Sequence, residues 1–331
     1  MRVLLTFDYE LFFGTRTGTV EACMIRPTEL LLQMCRKHEV SMTFFIDVGY
    51  LLKLEEYAPQ FPTLAKDLAL VKEQVARMLA LDCSVQLHIH PHWEKSSFDG
   101  EKWNIVTDGC YKLDDFSDRE IEGIVKTYHR YLTELTQKPV DSFRAGGWCI
   151  QPFSRLAGVF GELGIVCDPS VFPGGRFQSS HYAFDFTAVP RFSDDYRFED
   201  DVCKAVPDGQ FVELPIASWR YTPAFYWTLY ALGRMDPKRH KMMGDGHFLA
   251  QPGRKRSVLT RFTWNHVSAD GFYAGILTRQ ARFYAKRNVR HFVVIGHPKS
   301  LTLYSVEQLE AFIAGTKNKY EFTSFSELKW S

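Results

Sequence analysis

Val85-Gln86-Leu87-His88-Ile89-His90-Pro91-His92-Trp93 reads as a buried strand that runs out into a loop carrying three imidazoles within five residues. The chain has 11 histidines in 331 residues, so such a run is not an accident of composition. Neutral imidazole is a good ligand for zinc and other borderline divalent metals. Pro91 excludes a helix interior and biases His90 towards extended geometry, so the usual argument from an i,i+4 helical pair is weak here. In a fully extended segment all three side chains point roughly one way. A turn at Pro91 instead brings His88 and His92 together and turns His90 aside. Both geometries supply two histidines and lack a carboxylate, and hydrogen-bonded loop histidines or substrate contacts remain as alternatives.

The chain's opening, Arg2-Val3-Leu4-Leu5-Thr6-Phe7-Asp8-Tyr9-Glu10, offers that carboxylate. An apolar strand ends in two acids in alternation, which puts Asp8 and Glu10 on one side of its C-terminal end, where α/β folds keep their chemistry. One acid can complete a metal site while the other stays free as a base; acids that merely cap the next turn are the bland alternative. Further on, helices are expected from Pro27, over Leu64–Leu81, from the capping box Ser117-Asp118-Arg119-Glu120, and over Pro152–Leu163. Strands are expected at Val40–Val48, Val140–Phe143, Ile165–Asp168, Phe211–Ile216 and His291–Pro298. Four strands end in polar residues, Asp8, the histidines, Arg144 and Asp168, and this recurrence is the pattern of a barrel rim. Asp47 stands at another strand end as an active-face residue or an ordinary cap, and His297 at the exit of the last strand. Arg144 and Asp168 could also form a buried ion pair. His266–Arg287 reads as a helix softened at Gly271 and Gly275. Strand and helix alternate without repeat or linker, so 1–331 reads as one (β/α) barrel domain. The stretches 93–116 and 219–261 interrupt the rhythm as insert loops over or beside the active face.

A formal net charge of +1 argues against a nucleic-acid partner held by bulk electrostatics. No apolar stretch is long enough to span a bilayer, and no export leader precedes the first strand. Seven cysteines without a CxxC pair read as reduced core thiols, so a cytoplasmic location is expected. The aromatic run at 219–230 suits a helix docked on the barrel edge. It leaves open a platform for a sugar or lipid, a partner contact, or a membrane-surface contact. Oligomeric state is not set by the sequence.

Taken in order, these motifs resemble the NodB-homology polysaccharide deacetylases (carbohydrate esterase family 4), which fold as a distorted (β/α)7 barrel. Thr6-Phe7-Asp8-Tyr9-Glu10 matches the opening acid motif, and the resemblance makes Asp8 the catalytic base and Glu10 a metal ligand. The H-x-x-x-H ligand pair falls on His88 and His92 and leaves His90 unassigned, a candidate substrate contact with Trp93 and Trp148. Arg144-Ala145-Gly146 stands for Arg-x-Pro, with glycine in place of proline, and Gly147 supplies the oxyanion-hole N–H. Asp168 takes the place of the family's orienting aspartate, without its neighbouring tryptophan. Ile295-Gly296-His297 stands for Leu-x-His, with His297 as catalytic acid. The resemblance implies one divalent ion, zinc by ligand chemistry, and hydrolysis of an amide in an N-acetylated sugar or glycoconjugate. A small-amide hydrolase and a non-catalytic carbohydrate-binding protein are the rivals.

Overall fold

The computed structural model describes residues 1–179, 181–249 and 253–330. Strand β1 (Arg2–Tyr9) is buried along all but its first residue, as its continuous apolar run requires of a strand covered on both faces. Helix α1 (Arg26–His38) follows a π-helical turn at Glu21–Ile25 and ends on Arg36, Lys37 and His38, the sign that suits its C-terminal dipole. Next come β2 (Thr43–Asp47), α2 (Val48–Tyr57), α3 (Pro62–Ala80) and β3 (Ser84–Ile89). Helix α4 (Asp118–Thr136) opens on the expected capping box: Ser117 Oγ accepts from Glu120 N at 3.4 Å, and Glu120 Oε2 accepts from Ser117 N at 2.9 Å. Then follow β4 (Phe143–Ala145), α5 (Ser154–Leu163), β5 (Cys167–Asp168) and β6 (Phe211–Glu213).

The main sheet runs β9-β1-β2-β3-β4, where β9 is His291–Gly296, and all its pairs are parallel. A parallel bridge from Ser142 to Cys167 carries the curl from the approach to β4 into β5, and β5 pairs with β6. A second bridge, from Ile216 just past β6 to Val293 of β9, closes the ring. Among the described residues seven strands thus make a distorted parallel barrel, with helices joining most successive strands.

The region after β6 departs from expectation. Strand β7 (Ser218–Tyr221) pairs antiparallel with β8 (Thr263–His266), and the chain between them makes an excursion through α6 (Pro223–Met235), α7 (Pro237–His240) and α8 (Arg254–Thr260). The aromatic run therefore begins as strand and only becomes helix at Pro223. His266 likewise ends a strand instead of opening a helix. Thr263-Trp264-Asn265 finds a partner in β7, and Ser268 bridges to Ile295 of β9. Helix α9 (Leu277–Ala285) begins only after a 3₁₀ turn at Gly271–Ile276. Apolar spacing over the first half of 266–287 misled because pairing with β7 and β9 overrode it. Helix α10 (Leu303–Thr316) and a two-residue strand β10 (Glu321–Phe322) against β1 complete the chain.

Most buried apolar side chains form one continuous cluster, from Val3 to Phe325. A small second cluster (Tyr221, Tyr226, Val258) lies within the 219–261 excursion. No described helix is long and apolar enough to cross a membrane. Ser117→Ala removes the N-cap of α4 and is expected to cost ~1 kcal/mol; the midpoint shift in urea unfolding measures it.

Candidate active site

Parallel register brings the strand ends together. Asp47 lies opposite His88, His88 opposite Arg144, and Phe7 opposite Gly296, which puts His297 beside Asp8. Asp8 and Glu10 are both buried at the end of β1. The arrangement answers the question left by Pro91. The chain stays extended through His90 and turns only in a 3₁₀ helix at Pro91–Lys95. His88 and His90, two residues apart, therefore share a side.

Glu10, His88 and His90 each offer a ligand atom, all within 4.8 Å of one another. Glu10 Oε2 is 3.1 Å from His88 Nε2 and 2.5 Å from His90 Nε2. His92, expected as the second histidine ligand, is not in this group. It is buried with its ring 4.5 Å from Phe13 and near-parallel to Tyr111. The 3₁₀ turn rotates it into the apolar layer behind the site. Trp93, expected to touch substrate, is also fully buried and donates Nε1–H to Asp47 Oδ2 at 2.7 Å. Trp148 does line the cavity, stacked on His266 at 5.0 Å.

Gly146 explains why His90 can occupy its place. A Cβ there would lie 2.6 Å from Cε1 and Nδ1 of His90 and 2.7 Å from the Ile89 carbonyl oxygen. The departure from Arg-x-Pro and the use of His90 are one steric fact: the imidazole lies where a side chain at 146 would begin.

The donor set fits a divalent metal ion. His88 Nδ1–H donates to the Arg144 carbonyl at 2.7 Å, which fixes the tautomer. A neutral ring so held presents its Nε2 lone pair to the Glu10 carboxylate, an arrangement that needs a cation: a proton on Nε2 or a shared metal ion. His90 is buried, and neither of its ring nitrogens makes an aligned hydrogen bond. Burial pushes His90 down to about 4 despite Glu10, so at neutral pH its ring is unprotonated and could serve as a ligand. For His88 burial acts the same way but is outweighed by Asp8 and Glu10, which lift it to about 9. Burial opposes ionising Glu10, yet Lys299, His90 and His88 hold it well below the usual carboxylate range.

Each remaining charge is engaged. Asp8 Oδ1 accepts from Arg144 Nη1 at 2.7 Å, leaving Oδ2 at 3.9 Å from His88 Nε2 and 3.7 Å from His297 Nε2. Arg144 is fully buried, donates also to Thr6 Oγ1 and the Pro169 carbonyl, and lies over the Phe45 ring. Its ion pair is thus with Asp8, not Asp168. Asp168 does not line the cavity; it accepts from Ser170 Oγ, which in turn accepts from Ala145 N. It braces the end of β4. Burial pushes Asp168 up to about 6, and its neighbour Glu213 is raised by burial and by Asp168. Gly147 lines the cavity in a left-handed conformation (φ +60), with Tyr111 where a Cβ would sit. Asp47 stays behind the site, pushed up to about 7 by burial.

Three residues escaped the sequence reading. Lys299 is buried and donates to Glu10 Oε1 at 2.7 Å. Its position two residues past His297 was an available signal, the same spacing as Asp8 and Glu10. Asp270 accepts from His297 Nδ1–H and from His297 N, each at 2.8 Å. His266 lines the cavity from the end of β8. Both were hidden by the helical reading of 266–287.

No family profile matches the sequence, and no curated protein matches it either. Solved structures do match its fold. A protein proposed to be a polysaccharide deacetylase from Mycobacterium smegmatis superposes with a TM-score of 0.54 at 14% identity, over 98% of this chain and 87% of that one. The chain carries a deacetylase-type (β/α) barrel. The PuuE allantoinase is similar too (TM-score 0.51, 10% identity, 98% and 88% covered). So is a GH57 branching enzyme from Thermococcus kodakaraensis (0.51, 8%, 100% and 71%).

Gly146→Ala is expected to destabilise the protein by ~1–3 kcal/mol through overpacking against His90. Gly158→Ala, where no atom lies within 4 Å of the added Cβ, serves as control. Paired thermal melts check the difference.

Proposed function

We propose that this chain is a metal-dependent amide hydrolase that removes the acetyl group from an N-acetylated sugar or glycoconjugate. One observation carries the reading. Glu10, His88 and His90 converge at a cavity of about 710 Å³, with Asp8 Oδ2 and His297 Nε2 within 4 Å of members of that group. Such a pairing of candidate metal ligands with a separate acid and base is what amide hydrolysis requires and what a pure binding site does not. The whole chain would serve as one catalytic domain, with 93–116 and 219–261 over and beside the active face.

Glu10, His88 and His90 would hold the ion, and a nitrogen and oxygen donor set suits zinc. Bound there, such an ion would supply Lewis acidity toward the amide oxygen and toward a water molecule. Asp8 takes the proton at Oδ2, because Arg144 engages Oδ1 and keeps the carboxylate oriented. Lys299 holds Glu10 from its other oxygen and offsets its buried charge. The backbone N–H of Gly147 is assigned to the developing oxyanion, a contribution of about 3 kcal/mol for one such donor. His297 keeps its proton on Nδ1 against Asp270, so Nε2 faces the cavity to protonate the leaving amine. Arg144 and Asp168 act by positioning. The cavity has the size of a site for a sugar-sized or larger ligand, and the aromatic rings of Trp148, Tyr111 and Tyr182 line it. This favours a glycan over a small cyclic amide. All seven cysteines are free, which supports a reducing, cytoplasmic setting.

Acetate release from N-acetylated sugars, set against release of ammonia or amine from linear and cyclic non-sugar amides, separates the two enzymatic readings. Asp8→Asn is expected to lower kcat by ~10²–10⁴-fold while bound metal is retained. Unchanged turnover in that variant would remove the hydrolase reading. Burial opposes protonation of His297, but Asp270, Asp8 and Glu10 together raise its pKa above the usual histidine value. As the acid, His297 must be protonated, so activity persists below that raised pKa and falls as pH rises through it. Asp270→Asn is expected to move this alkaline limb to lower pH; a limb that stays in place excludes His297 as the acid.

A further inference from the structure

The segment between β7 and β8 has a charge balance unlike the rest of the protein. Residues 219–261 hold nine lysines and arginines against two aspartates, in a chain whose formal net charge is +1. Both aspartates lie outside the cavity lining: Asp236 caps α7, and Asp245 pairs with Arg16 and accepts from Thr19 N. Arg239 is tied to Glu307 on the outside. Arg234 of α6 and Arg254 and Lys255 of α8 are different, because they line the same cavity as Glu10, His88 and His297. All three are exposed, which puts them at its mouth, while the metal-binding group is buried at its floor.

Among the described residues the lining contains three acids, Asp8, Glu10 and Asp270, and each is already engaged at the floor by Arg144, Lys299 or His297. Those three acids therefore serve the floor, and the mouth presents three basic side chains to the same cavity. Lys255 lies over the Tyr230 ring, Nζ 5.0 Å from its centroid, which keeps the ammonium against a flat apolar surface. Between mouth and floor stands His266, 8% exposed, with Nδ1 lacking a hydrogen-bond partner. Its ring stacks on Trp148, which also lines the cavity. A buried polar atom left unsatisfied beside a cavity calls for a ligand group. Arginines and a lysine focused on one low-dielectric mouth call for an anion.

We propose that the substrate bears, apart from its scissile amide, an anionic group (phosphate or carboxylate) that Arg234, Arg254 and Lys255 receive, with His266 and Trp148 holding the body between. This rests on the hydrolase reading above and names the substrate class it acts on. The excursion between β7 and β8 then sets which amide reaches the floor.

The test uses the full-length, metal-loaded protein and three probes: N-acetylglucosamine, N-acetylglucosamine 1-phosphate and N-acetylmuramic acid. Calorimetry at low salt is expected to show at least one charged probe binding about tenfold or more tighter than the neutral sugar, an advantage that shrinks at high salt. Which of the two wins identifies phosphate or carboxylate. Arg234→Gln and Lys255→Gln are expected to cut the charged-to-neutral ratio by about fivefold or more, and Lys255→Arg to keep it. Equal affinity for all three probes would overturn the proposal. So would sedimentation with phosphatidylserine vesicles that these glutamine variants abolish while probe selectivity is unaltered, since the cations would then serve a membrane surface. Acetate release is read on the same samples. A charged-probe preference in binding with no acetate from any probe keeps the anion site and removes the hydrolase reading. Equal acetate release from all probes does the reverse.

Discussion

Two carboxylates buried side by side at the end of one strand are the constraint from which the rest of the site follows. Asp8 and Glu10 are each about 95% removed from solvent, and an unpaired carboxylate in such a place costs several kcal/mol. The barrel answers by bringing cationic partners from three other strand ends. Arg144 from β4 takes Asp8, Lys299 beyond β9 takes one oxygen of Glu10, and His88 of β3, its pKa lifted to about 9, takes the other, with the neutral His90 ring beside it. None of these partners is local in sequence. The charge balance closes only when β9, β1, β3 and β4 are in register, so the fold and the site depend on the same contacts. Removing one partner leaves a buried charge uncompensated, a loss on the order of 3–5 kcal/mol.

Much of this was legible in the sequence because strands buried on both faces write themselves as apolar runs with polar ends. Asp8, Glu10, His88, Arg144 and His297 were all found in that way, and they meet. The choice between His90 and His92 was not legible, since it turns on where the chain leaves extended geometry after Pro91 and on the space beside Gly146. Glycine at 146 was visible as a departure, but its meaning needed the neighbour it makes room for. Trp93 was placed in the loop after β3 and Asp168 at the end of its strand, yet one side chain turns into the core and the other braces a backbone. Asp270 and His266 were lost because strand pairing across β7, β8 and β9 overrides a helix-like spacing, and such pairing is a tertiary fact. Lys299 could have been found by the alternation that found Glu10.

The barrel alone does not choose a reaction. Structures with this fold include a protein proposed to be a polysaccharide deacetylase, an allantoinase and a glycan branching enzyme, and fold similarity at such low identity carries no activity with it. What bears on the reaction in this chain is local: a candidate metal-binding group written as His-x-His with Glu10, a lysine on that carboxylate, an Asp270–His297 pair, and a basic helical excursion at the mouth. In the proposed function the floor bears on the bond to be broken, and the mouth on the molecule that carries it.

The central claim is that a divalent ion is shared by Glu10, His88 and His90, with His92 standing outside. Anomalous diffraction at the zinc edge from crystals grown with zinc tests this most directly. The account predicts a single strong peak between Glu10 Oε2 and the Nε2 atoms of His88 and His90. A peak coordinated by His92 in place of His90, or no peak at the end of β1, would contradict it.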